Sequence, residues 1–92
     1  MELSNEEWEN YKYHFILAEN LDVCVDLKES GIKYPVHEVF KDLLFHNRFK
    51  DGIYNVPDII IFCRKYHIKL DYNRLDTLMF KHSDGNRVGN NI

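Results

Sequence analysis

Leu21-Asp22-Val23-Cys24-Val25-Asp26-Leu27 is the stretch on which the fold class turns. Read as a strand, its alternation puts Leu21, Val23, Val25 and Leu27 on one inward face. Read as a helix, it puts Asp22, Asp26 and Glu29 in one line at i, i+4 and i+7. No second clean alternating run exists in the chain to pair with it, and an unpaired strand leaves its backbone N–H and C=O groups unsatisfied. A helix over about residues 20–30, ended near Gly31, is therefore expected. A short extended segment over 21–27 is the alternative.

On the N-terminal side, Ser4 followed by Glu7 has the capping-box pattern. Behind it Trp8, Tyr11, Phe15 and Ala18 recur at steps of three and four, the mark of an apolar helix stripe. Glu6, Glu7 and Glu9 occupy the first turn, where the helix dipole favours negative charge. A helix over about residues 5–19 follows. On the C-terminal side, Tyr34-Pro35 opens a helix whose apolar face runs through Val36, Val39, Phe40, Leu43 and Leu44 to about residue 48. Lys50-Asp51-Gly52 is a turn signal. Asn55-Val56-Pro57-Asp58 starts a further helix carrying Ile59, Ile60, Phe62, Cys63 and Tyr66. After a break at His67 to Leu70, Asp71 is the N-cap of a last helix, with Leu75, Leu78 and Met79, ending around His82. Residues 83–92 have little to bury and are expected to form a flexible tail. The fold class is thus expected to be mainly α, one small domain of four or five short helices over residues 1–82.

Composition fits a single domain. The chain has 92 residues with 45% hydrophobic and 29% charged residues, close to ordinary globular values. At this length only about 60% of the unfolded surface can be buried, which leaves little room for a deep catalytic cleft. Two cysteines, Cys24 and Cys63, stand in no paired spacing. The acidic opening has no apolar h-region, and the longest apolar runs are too short to span a bilayer. A soluble cytosolic protein, with no membrane association, is expected.

The net charge of −3 conceals an asymmetry. Residues 1–46 hold ten acids against four lysines, a net −6, and residues 47–92 hold eight bases against five acids, a net +3. The two halves either make a polarised surface or interleave in space and neutralise each other.

Catalysis finds little support. Phosphate loop, dinucleotide fingerprint and nucleophile elbow are all missing from the sequence, and four glycines make no glycine-rich cradle. His14, His37, His46, His67 and His82 are scattered. His14 with Cys24, or Cys63 with His67, are the pairs that a metal would need to share, and neither has zinc-finger spacing. No enzyme activity, no cofactor and no metal are expected.

Two binding readings remain. The helix pair over 57–82 has the spacing of a helix-turn-helix DNA binder, presenting Tyr72, Asn73, Arg74, Thr77 and Lys81, with Arg64, Lys65 and Lys69 toward phosphates. Asp71, Asp76 and the pI of about 5.9 oppose it. The other reading uses the acids. Asp22, Asp26 and Glu29, Glu6 with Glu9, and Glu38 with Asp42 all stand at helical spacings. Like charges so placed cost a few tenths of a kcal/mol per pair. A row of carboxylates at such intervals has roughly the pitch of phosphates along a nucleic acid, so it can occupy a site built for DNA. A third reading is an adaptor that uses exposed aromatics such as Tyr13 and Tyr54.

In its length, its opening Met1-Glu2-Leu3-Ser4-Asn5-Glu6-Glu7-Trp8-Glu9 and its acid line Asp22, Asp26 and Glu29, the whole chain resembles the Arn family of anti-restriction proteins of T-even phages. The resemblance implies a non-enzymatic, homodimeric DNA mimic in the host cytoplasm. It also implies the partners: the modification-dependent restriction endonuclease McrBC and the histone-like protein H-NS, with no direct binding of nucleic acid. On this reading the phosphate-mimicking residues are Glu6, Glu9, Asp22, Asp26, Glu29, Glu38 and Asp42.

Overall fold

The computed structural model, which describes residues 3–41, 43 and 52–81, corrects the expected fold class. The chain is an α+β mix with two small antiparallel sheets, not a mainly α domain. In order, the described elements are α1 (Asn5–Tyr11), β1 (His14–Leu17), a 3-10 turn (Ala18–Asn20), α2 (Leu21–Cys24), β2 (Val25–Asp26) and α3 (Val36–Val39). These are followed by β3 (Ile53–Asn55), α4 (Val56–Lys65), β4 (Lys69–Leu70), α5 (Tyr72–Leu78) and β5 (Phe80–Lys81). The expected tail at 83–92, and the part of the third expected helix beyond residue 43, lie outside the described residues.

The first helix starts as its sequence dictates. The Ser4 hydroxyl accepts the Glu7 N–H and the Glu7 carboxylate accepts the Ser4 N–H, closing the capping box. It does not run to residue 19. After Tyr11 come Lys12, Tyr13, His14, Phe15 and Ile16, and aromatic or β-branched residues lose side-chain freedom in a helix but fit a pleated surface. The chain becomes β1, the central strand of a three-stranded sheet ordered β3-β1-β5. Phe15 pairs with Asn55 and Phe80, and Ile16 with Tyr54. Both Phe15 and Ile16 are buried, so the strand is covered on both faces and shows no alternation of apolar and polar residues. Trp8, placed on the expected stripe, is 49% exposed.

Residues 21–27 obey two periods in turn. Leu21 and Cys24, three apart on α2, point inward, and Val25 and Leu27, two apart from β2 onward, do the same. Val23 is 51% exposed. The switch occurs at Val25, whose backbone is extended (φ −113, ψ 125). Its partner strand is β4, in register Val25↔Leu70 and Asp26↔Lys69, and the Asp71 N–H donates to the Cys24 carbonyl at 2.8 Å. A two-residue strand is too short to alternate, which is why no second run marks it in the sequence.

The helix starts at Asn55 and Asp71 are found where the sequence puts them, as N-caps of α4 and α5. Pro57 lies in the first turn of α4, and the Asp71 carboxylate accepts the Arg74 N–H at 3.0 Å. The last helix stops at Leu78, and Phe80–Lys81 turn extended to pair with β1, so the expected end near His82 is corrected. One core joins these elements, with Ile16, Leu21, Phe40, Tyr54, Val56, Ile59, Ile60 and Leu75 fully buried. Phe40 stacks on Phe62 with ring centroids 4.6 Å apart.

Tyr54 is 1% exposed, and its hydroxyl meets no hydrogen-bond partner among the described residues. Burial without a partner raises its pKa to about 12 and costs the hydroxyl its hydration. Tyr54→Phe should therefore raise stability by about 1 kcal/mol in urea denaturation, with an unchanged slope. A lowered midpoint would show that the hydroxyl contributes a bond.

Candidate functional site

The α2–β2 segment and the β4–α5 segment together line an open groove of about 760 Å³. Three aspartates border it, Asp22 from α2, Asp26 from β2 and Asp71 from the cap of α5, with Lys28, Lys69, Tyr72 and Asn73. Two of the three are held by backbone. The Asp26 Oδ1 accepts the Glu29 N–H at 2.8 Å, and that bond is the main reason its pKa is lowered. Asp71 is fixed by capping α5. The Ser30 hydroxyl donates to the Asp26 carbonyl and accepts the Lys69 N–H, both at 2.8 Å, so the turn after β2 is tied to β4.

The expected acid line is not a line. Asp22 is helical, Asp26 is in a strand and Glu29 is in the turn that follows, because the helix ends at Cys24. Glu29 is paired with Lys69 (2.8 Å), the residue directly across the sheet from Asp26. Glu6 and Glu9 are exposed on α1, and Glu9 pairs with Lys12 at 2.9 Å. Glu38 is exposed on α3 beside Tyr34 and Val39. Asp42 lies outside the described residues. Asp22 and Asp26 border one groove, though not as the helical line expected, and they are joined there by a residue the sequence did not group with them, Asp71. Its only signal was its capping position, which gives no hint that α5 starts beside β2.

Among the described residues, two ion pairs between the halves partly resolve the charge asymmetry. One is Glu29–Lys69. The other is Glu7–Arg64, a two-pronged contact in which Arg64 Nη1 donates to Glu7 Oε1 at 3.0 Å and Nη2 donates to Oε2. The same Nη2 donates to the Tyr72 hydroxyl at 3.4 Å. Two of the three bases that the helix-turn-helix reading assigns to phosphates, Arg64 and Lys69, are therefore engaged by acids. Lys81 is on β5 and not on the reading helix, while Asn73, Arg74 and Thr77 are exposed on α5. Tyr13 is exposed, but Tyr54 is buried, which removes it as an adaptor contact.

Cys63 is buried and its thiol is pushed up to about 12 by that burial, which suits a small apolar filler better than a nucleophile. Among the described residues no group of three or more His, Cys, Asp or Glu side chains is placed to hold a metal ion. No described helix is long and apolar enough to cross a membrane. Compared with family models, with curated proteins and with solved structures, the chain matches none, so the resemblance to the Arn family finds no support there.

Glu7 joins α1 to α4 and reports on that joint by titration. The Arg64 hydrogen bond, then the Ser4 N–H, lower its pKa from 4.5 to about 2. A depressed carboxylate pKa adds stability above its unfolded value that is lost as pH falls through the folded one. Glu7→Gln should lower the melting temperature at pH 7 and flatten the acid limb between pH 4.5 and 2. Thermal melts across that range check it, and parallel limbs for both proteins would refute the assignment.

Proposed function

We propose that this protein acts without catalysis, as a mimic of DNA whose surface carboxylates stand in for phosphates and block DNA-binding proteins by competition. The observation that carries the reading is the groove bordered by Asp22, Asp26 and Asp71, two of them held in place by backbone N–H groups. Carboxylates fixed before binding lose little freedom when a basic surface closes on them. Pairing of Arg64 with Glu7 and of Lys69 with Glu29 also removes two strong cations from the field that such a partner meets. Glu6 and Glu38, exposed and in no ion pair with a described residue, extend the anionic surface.

The partners implied by the Arn resemblance are McrBC and H-NS in the host cytoplasm, and a homodimer would lengthen the carboxylate array. A labelled duplex bound to H-NS at low salt tests the reading by gel shift. The protein should release the duplex without shifting it alone. The variant Asp22→Lys with Asp26→Asn, in which the Asn oxygen still accepts the Glu29 N–H, should require about tenfold more protein for half release. A duplex that stays bound to H-NS would sink the proposal. A direct shift that weakens with salt would instead point to the helix pair as a DNA binder.

A further inference from the structure

A second groove adjoins the first, sharing Asp22, Val25, Leu27 and Lys28 with it, and runs between the turn after β2 and the start of α3. We propose that it docks an extended acidic peptide through one bulky apolar side chain. Its volume is about 730 Å³, and its apolar lining comes from Val25, Leu27, Ile32 and Val36. Two ammonium groups, Lys28 and Lys33, border it against one carboxylate, Asp22. Both lysines are exposed and neither is in an ion pair with a described residue, whereas Lys12, Arg64 and Lys69 each have an acid partner. An apolar site with a cationic rim attracts an apolar group flanked by carboxylates.

The shape argues for a peptide. The groove is open to solvent. An acyl chain laid there would keep much of its surface wet, while a peptide can bury one side chain and leave its backbone in water. The walls are also set in advance. The Ile32 N–H donates to the Leu27 carbonyl at 2.8 Å and the Gly31 N–H to the Lys28 carbonyl at 3.0 Å. Gly31 turns the chain at φ +81, in the left-handed region that a glycine enters freely. These bonds hold Lys28 and Lys33 on either side of one rigid turn, so little order is lost on docking. Tyr34, 70% exposed, lines both this groove and a smaller hollow formed with Glu38 and Val39. An exposed tyrosine beside an apolar groove is the kind of anchor that contributes strongly to protein contacts.

The probe is a fluorescein-labelled pentapeptide of four acidic residues around a central phenylalanine, followed by fluorescence anisotropy and by amide NMR shifts. Binding should move the amides of Gly31, Ile32, Lys33 and Val36, and replacing the central phenylalanine by alanine should abolish it. The double variant K28E/K33E, changed at two exposed positions that leave the core intact, should weaken binding on the order of tenfold and favour a lysine-flanked peptide instead. Equal binding to both proteins, no anisotropy change at millimolar protein, or shifts confined to other elements would each overturn the proposal.

Discussion

Strand β1 must be covered on both faces and paired on both edges, and the rest of the domain is arranged to do this. Phe15 and Ile16 point to opposite sides and both are buried, so one layer of helices cannot suffice. Strands β3 and β5 take up the edges, one from the segment before α4 and the other from the segment after α5. Those two pairings bring together parts of the chain nearly forty and more than sixty residues away from β1. They also fix where α4 enters the core, with Ile59, Ile60 and Cys63 inward.

The β2–β4 ribbon is the second constraint, and it shapes both grooves. Val25 and Leu70 pair with their side chains in the core, while Asp26 and Lys69 pair with theirs outside. Lys69 pairs with Glu29, and its charge also reaches Asp26, whose pKa it helps to lower after the Glu29 N–H. The ribbon's β2 strand contributes to both grooves, one bordered by three aspartates with Lys28 and Lys69, the other apolar with Lys28 and Lys33 at its rim. Asp22 and Lys28 line both, so the two surfaces are close enough for a charge change at either residue to be felt in both.

Local chemistry was legible wherever the partners are near in sequence. The capping box of Ser4 and Glu7, the cap at Asp71 and the start at Asn55 with Pro57 behind it were all readable, since each involves residues within four of one another. Apart from β2, which falls within the extended segment held as the alternative over 21–27, the strands were not. His14–Leu17 is a central strand and lacks alternation, and the other strands have two or three residues, too few for a period to register. Reading Phe15 and Ala18 as the continuation of a helix stripe was therefore natural, and it failed because their partners are remote.

The same division holds for the acids. The sequence by itself determined a composition rich in large aromatic side chains, with acids crowded into its first half and bases into its second. It also determined where α1 and α5 begin, because Ser4 and Asp71 cap them through contacts between neighbours. Only the tertiary structure decided that Asp71 joins Asp22 and Asp26, that Glu29 and Glu7 neutralise Lys69 and Arg64, and that Val23 faces water while Cys24 does not. These outcomes depend on strand pairing across long loops, and a backbone hydrogen bond between remote segments carries no side-chain signature in the sequence.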